Sequence, residues 1–434
     1  MAVRAVQERY VMQSIRCCAA LTGLFFAAAA ASAGWAEPWE RHVIDGSSRG
    51  ADGVRLADVN GDGLLDIATG WEEGGLIRVY VHPGAAGVRG YWPAVTVGQV
   101  ASPEDAVFAD LDGDGATDVV SSCEGSNRTI YVHWGPKDRK DYLDRAKWKT
   151  EAIPETREKQ SWMFALPMQI DGRGGIDLVV GSKGQGATVG WLASPVRPHA
   201  MDAWTFHRLR KAGWIMSLRA CDMDDDGDSD VLLSDRRGAV CGVCWLENPG
   251  AKAARSGAVW KEHRIGAGDR EVMFLATGDV DGDGRSDVAA AVKGKGITWF
   301  RAKRDESERW EMHEVALPAN CGTGKGVAVC DVNGDGRNDL VFSCEHADGD
   351  KSGVRWLSYR TSPTEAAWAD HEISGPEGVK FDRVEMVDLD GDGDLDVLTC
   401  EEQTNLGVVW YENPSRRPVA ERVRSCDMVQ EVTR

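Results

Sequence analysis

Asp58-Val-Asn60-Gly-Asp62-Gly-Leu-Leu-Asp66 is the stretch that decides the fold. Alternate residues carry side-chain oxygens, glycines sit between them, and apolar runs lead in (Gly53 to Ala57) and out (from Ile67). The pattern returns as Asp110-Leu-Asp112-Gly-Asp114 ending at Asp118, and as Asp222-Met-Asp224-Asp-Asp226 ending at Asp230. It returns again as Asp279-Val-Asp281-Gly-Asp283 ending at Asp287, and as Asp331-Val-Asn333-Gly-Asp335 ending at Asp339. The last intact copy is Asp388-Leu-Asp390-Gly-Asp392, ending at Asp396, and an altered seventh, Gln169-Ile-Asp171-Gly-Arg173, ends at Asp177. Successive copies lie 52 to 59 residues apart, and an internal period of that size marks a repeat architecture.

Two further motifs keep the same beat. Trp-x-x-His-x-aliphatic occurs at Trp39/His42, Trp204/His207, Trp260/His263, Trp310/His313 and Trp368/His371, with weaker copies at Trp92 and Trp148. A short aromatic strand centres on Tyr80, Trp134, Trp191, Trp245, Trp299, Trp356 and Trp410. Each unit therefore reads as an apolar strand entering the acidic loop, a β-branched strand leaving it, an aromatic strand and a Trp-x-x-His strand. Four antiparallel strands repeated seven times predict an all-β, seven-bladed β-propeller over residues 37–414. The chain opens on a Trp-x-x-His strand and its last aromatic strand has none behind it. The N-terminal strand is therefore predicted to complete the last blade and leave no open edge.

Composition agrees. The 434 residues include 50 Gly and 17 Trp, and the formal net charge is −19. That acidity argues against nucleic acid, which needs clustered Lys and Arg to neutralise phosphate. Arg4, Arg9 and Arg16 precede an apolar run from Cys17 to Ala30 and small residues up to Ala36. Residues 1–36 thus read as a signal peptide, predicting an exported protein, periplasmic or extracellular, with no transmembrane segment after signal removal. Residues 415–434 read as a C-terminal tail. Cys123, Cys344 and Cys400 recur at one point of the repeat and read as small packing residues; Cys241 and Cys244 share one predicted strand.

The loop inside a strand–loop–strand unit resembles the FG-GAP repeat, also called the VCBS repeat. That family forms the calcium-binding propeller of integrin α chains and of many secreted bacterial proteins. The resemblance implies Ca²⁺ at about six sites, held through loop positions 1, 3, 5 and 9. Those positions are Asp58, Asn60, Asp62 and Asp66 in the first loop; Asp110, Asp112, Asp114 and Asp118 in the second; and Asp222, Asp224, Asp226 and Asp230 in the fourth. In the last three they are Asp279, Asp281, Asp283 and Asp287; Asp331, Asn333, Asp335 and Asp339; and Asp388, Asp390, Asp392 and Asp396. The third loop departs, with Gln169 and Arg173 at ligand positions. The chemistry agrees independently: calcium takes six to eight hard oxygen ligands, and crowded carboxylates repel one another without a cation. An EF-hand, which opens on the same pattern, is excluded because position 12 holds Thr69, Ser121, Leu233, Ala290, Phe342 and Thr399 instead of Glu.

No nucleophile elbow, phosphate loop, dinucleotide fingerprint or zinc-protease helix is present, and five of the nine His fall in the repeated outer strand. Strand direction puts the acidic loops on one face and leaves the other for ligands. Trp71, Trp162 and Trp214 map to that second face, with Glu72, Glu124, Arg236, Arg237, Lys293, Lys325, His346, Lys380 and Glu401 around it. The expectation is a non-enzymatic binding or adhesion module for a carbohydrate or protein ligand. The alternative is a carbohydrate-active enzyme of lyase or dehydratase type, with Arg55, Asp105, Arg219, Arg383 and Glu385 lining the channel.

Overall fold

The computed structural model describes residues 37–303, 310–365 and 367–415. The predicted signal peptide and nearly all of the predicted tail lie outside them. Apolar alternation drives twenty-eight short strands, and these assemble into seven four-stranded antiparallel sheets. Blades 1 to 6 are continuous in sequence: residues 51–99, 103–152, 161–211, 215–266, 272–315 and 323–372. Blade 7 takes three strands from residues 381–412 and its fourth from the other end of the chain, where Glu40–Asp45 pairs with Gly407–Glu412. The predicted closure is therefore the observed one.

The first strand of each blade packs on the first strands of its neighbours and forms the inner ring. Second strands are buried along their whole length, as in Asp66–Trp71, Asp118–Cys123 and Asp396–Glu401. Between neighbouring blades lie apolar cores built from both, such as Val179, Trp191, Ile215 and Leu233 between blades 3 and 4.

The outer strands explain the Trp-x-x-His motif. In five blades its histidine sits directly across the ladder from the aromatic-strand tryptophan. The rings stack: Trp245 on His263 at 4.0 Å, Trp356 on His371 at 3.8 Å, Trp191 on His207 and Trp299 on His313 at 4.5 Å, with the His42–Trp410 pair tilted at 4.5 Å. Such cross-strand pairs contribute roughly 0.2–1 kcal/mol each. In blade 1, Val79 opposite Val95 replaces the pair.

Removal of residues 37–45 should unseat blade 7, expose the edge of Gly407–Glu412 and lower the melting temperature by roughly 5 °C or more. Ile44, 1% exposed, should alone cost about 2–5 kcal/mol as Ile44→Ala. Calorimetry of both variants checks this, and a truncated protein that melts like the parent would place the closure elsewhere.

Candidate functional site

The six intact acidic loops share one internal wiring. The first-position carboxylates Asp58, Asp110, Asp222, Asp279 and Asp331 accept the N–H groups of the fifth and sixth loop residues at 2.8–3.2 Å. Asp388 accepts from Gly391 and Gly393. Fifth-position Asp62, Asp114, Asp226, Asp283, Asp335 and Asp392 accept from the residue two further on. Third-position Asn60, Asp112, Asp281, Asn333 and Asp390 accept the fifth residue's N–H. The turn needs left-handed backbone: Gly61 and Gly63 have φ of +75° and +86°. Asp225, which replaces the first of these glycines in loop 4, takes φ +63°, a conformation Asp tolerates better than most residues.

The ninth-position aspartate is different. Asp66 is fully buried and bridges two distant N–H groups, Val59 at 2.9 Å and His82 at 2.8 Å. Asp118, Asp230, Asp287 and Asp396 repeat the bridge, from the second loop residue to the exit of the third strand. Asp339 accepts from Val332. Asp177 makes the same bridge in the altered third loop, taking N–H groups from Ile170, Asp171 and Ser194. This residue therefore closes the loop whether or not the other ligand positions are intact.

In the ion-free protein, burial pushes these carboxyls up: Asp66, Asp177 and Asp230 to about 6, Asp287 and Asp339 to about 7, Asp118 and Asp396 to about 8. Neighbouring loop carboxylates add to the effect, and the backbone donors oppose it.

The residues present suit a hard cation. Oxygens of Asp110, Asp112 and Asp118 lie within 4.8 Å of one another, as do those of Asp222, Asp224 and Asp230. Asp224 departs from the wiring: its Oδ1 is buried with no hydrogen-bond partner among the described residues. Side chains from neighbouring segments already lean on these loops: Arg301 on Asp281 at 2.5 Å, Arg89 on Asp390 at 2.5 Å and His199 on Asp112 at 2.8 Å. In the third loop Gln169 hydrogen-bonds Gly172 and Gly175 within the turn instead.

The opposite face tells a second story. Trp71 and Trp162, expected there as ligand platforms, are 0% and 1% exposed, so this placement is corrected. Both are inter-blade packing, with indole N–H groups bonded to the Tyr80 hydroxyl and the Thr156 carbonyl. Trp214 is half-buried, and Arg236, Lys183 and Arg237 lie 4.6, 4.8 and 5.0 Å from its ring centroid.

From Trp214 a belt of charge runs round the channel mouth. Lys183 pairs with Glu104 and Glu124, Lys325 with Glu402 at 2.7 Å and Asp382 at 3.5 Å, Lys293 with Glu345 at 3.2 Å, and Arg236 with Glu271 at 3.0 Å. Oxygens of Asp52, Asp382 and Glu402 converge within 4.8 Å, as do those of Asp52, Glu72 and Glu104. Burial, with Asp382 and Glu402 close by, pushes Asp52 well up. Asp382 is also buried, but Lys325 and the hydrogen bond from Asp52 hold it below the usual carboxylate range. Burial likewise raises Glu104, while Glu104 and Lys183 hold Glu124 low against its own burial. Each of these two carboxyl pairs thus has one member pushed up and the other held down.

The repeat organises this belt. Six residues after each ninth-position Asp stand Glu72, Glu124, Lys183, Arg236, Lys293, Glu345 and Glu402. Six residues before each loop stand Asp52, Glu104, Met163, Met216, Met273, Lys325 and Asp382. Blades 3 to 5 thus carry cations over methionines, and blades 6, 7, 1 and 2 carry carboxylates with Lys325. Sequence reasoning missed Asp52, Glu104, Lys183, Asp382 and Glu402, and this fixed offset was the signal. Deeper in the channel, Arg55 grips Asp105 through two bonds of 2.9 Å and lies over Phe164, while Arg383 lies over Phe274.

The model for FG-GAP-like repeats matches this chain at residues 58–121, 279–342 and 331–399. No curated protein matches it. Among solved structures, the chain is similar to BBS1N in complex with ARL6DN, soaked with mercury, at 12% identity and a TM-score of 0.49, over 86% of this chain and 96% of that one. FG-GAP-like repeats in a closed seven-bladed propeller suggest a binding or adhesion-type module. Among the described residues no helix is long and apolar enough to cross a membrane.

Asp177→Ala should cost about 2–4 kcal/mol, because it orphans buried N–H groups, whereas Asp171→Ala should be near neutral. Denaturant titration separates them. Raised folded pKa values mean that the ion-free protein binds more protons than the unfolded chain between about pH 4 and pH 8. That stability is complete below about pH 4 and lost as pH rises through 6 to 8. Metal-stripped protein should therefore melt lower at pH 8.5 than at pH 5.5, and a flat profile would count against burial as the cause.

Proposed function

We propose that the chain is an exported, calcium-binding propeller serving as a binding or adhesion module. Its carbohydrate or protein ligand docks on the face away from the acidic loops. The observation that carries the ligand-face reading is Trp214, a half-buried indole ringed by three cations within 5.0 Å of its centroid. An aromatic face beside mixed charge suits sugar stacking or a protein contact. The basic start and apolar run before residue 37 support export. The oxygen-only donor sets and the unpartnered Asp224 oxygen support calcium. In each intact loop the residues at positions 1, 3, 5 and 9 would hold the ion. Six dications would offset more than half of the −19 charge.

Metal counting by mass spectrometry tests the first half: Asp112→Ala, Asp281→Ala and Asp390→Ala should each lose about one calcium, and Asp171→Ala none. Glycan arrays and pull-downs from envelope extract test the second. Trp214→Ala should weaken whatever binding is found by on the order of 1–3 kcal/mol while melting like the parent. Trp71→Ala and Trp162→Ala should instead destabilise by about 3–5 kcal/mol.

A second reading, a polysaccharide lyase or dehydratase, draws on the Asp52–Asp382 and Glu104–Glu124 pairs beside Lys325 and Lys183. Carboxyl pairs with pKa values pushed apart are a common acid–base device. Turnover of an acidic polysaccharide, abolished by Asp52→Asn in a folded protein, would favour it over the binding module.

A further inference from the structure

We propose that Cys321 and Cys344 are a disulfide-forming pair that ties the entry of blade 6 to its second strand. Cys321 closes the connection from blade 5, two residues before the first strand of blade 6, Thr323–Cys330. Cys344 lies near the end of the second strand, Asp339–Glu345. The two segments run in contact. A Cβ placed on Gly322 would sit 2.4 Å from the Glu345 carbonyl oxygen and 2.9 Å from Cys344 Cβ, so only glycine allows this approach. Both thiols are free and buried in one apolar cluster with Leu340 and Val327, and they lie close enough for each to shift the other's titration.

The surroundings of the two sulfurs differ. Cys321 Sγ donates to the Pro318 carbonyl at 3.1 Å. Arg355 stands near enough to favour the Cys321 thiolate. Cys344 is the more deeply buried of the two. Other described cysteines contrast with this pair. Cys241, just before the strand Gly242–Glu247, donates its Sγ to the Gly268 carbonyl, and Cys244 Sγ on that strand accepts from Arg210, so the spacing of three brings no thiol contact.

The chemistry is thiol–disulfide exchange with a small-molecule or protein disulfide, before blade 6 closes over the pair. The thiolate of one cysteine attacks one sulfur of the oxidant, forming a mixed disulfide and releasing one thiolate. The other cysteine loses its proton to solvent and attacks the protein sulfur of the mixed disulfide, so that bond breaks and the second thiolate leaves. The chain loses two electrons and two protons, and the oxidant disulfide becomes two thiols. An oxidising compartment, as the export reading supplies, would keep the bond formed.

The test uses the full chain, refolded in a buffer of oxidised and reduced glutathione, then denatured without reductant, alkylated and digested. We expect a cross-linked peptide pair joining Cys321 to Cys344 that disappears on reduction, with Cys241 and Cys244 alkylated in full. Cys321→Ala should return Cys344 to the alkylated pool, and reduction of the parent should lower its melting temperature by a few degrees. Complete alkylation of both thiols without reductant, or their pairing with other cysteines, would overturn the proposal. Neither calcium nor ligand enters this measurement, so its failure leaves the binding-module reading untouched.

Discussion

Six of the seven blades depend on one buried carboxylate in the same way, while Asp339 in blade 6 holds the loop start alone. In those six the ninth-position aspartate ties the start of the acidic loop to the exit of the third strand, and so joins two chain segments separated by a whole hairpin. Its place inside the sheet explains why it persists in the third repeat, where Gln169 and Arg173 have replaced the carboxylates at the loop's tip. The loop-tip positions can change without loss of the turn, as Gln169 shows by accepting the Gly172 N–H, whereas the ninth-position carboxylate takes N–H groups set deeper in the sheet. A residue proposed to hold an ion thus also holds the fold.

Negative charge accumulates on one face as a consequence. Seven loops present their tips in the same direction; Arg89 and His199 lean on them from the next blade, and Arg301 and Lys137 from the same blade. On the other face charge is divided by blade. Cations over methionines fill blades 3 to 5, and closely packed carboxyls fill blades 7, 1 and 2. The two faces of one disc are thus built on different electrostatic plans, though both obey the same repeat spacing.

Much of this was legible in the chain. The loop period gave blade number, and the phase of the Trp-x-x-His strand gave the closure at Glu40–Asp45, because both are one-dimensional signals that survive in any packing. The repeated histidines read as scaffold and stack on tryptophan as scaffold should. Trp71 and Trp162 were misplaced for a physical reason. Position along a strand tells which face a residue lies near, but whether a neighbouring blade covers it depends on side-chain volumes across the interface. The mouth belt escaped because it joins residues some 50 positions apart, and its members look like ordinary surface charge until the ring brings them together. The Cys321–Cys344 contact escaped likewise, because Cys321 lies outside the repeat.

The strand Glu40–Asp45 is synthesised near the start of the described chain, yet its partner Gly407–Glu412 is among the last segments made. Blades 1 to 6 can each complete themselves from contiguous sequence as they emerge. Blade 7 must wait, holding an unpaired strand throughout synthesis, and then draw the two ends together across the largest loop the chain contains. Ring closure thus requires the last strand made to find the first, a pairing that no earlier stage of synthesis can supply. Until that pairing the chain has two raw ends, and any factor that shields an exposed strand edge would act in this interval.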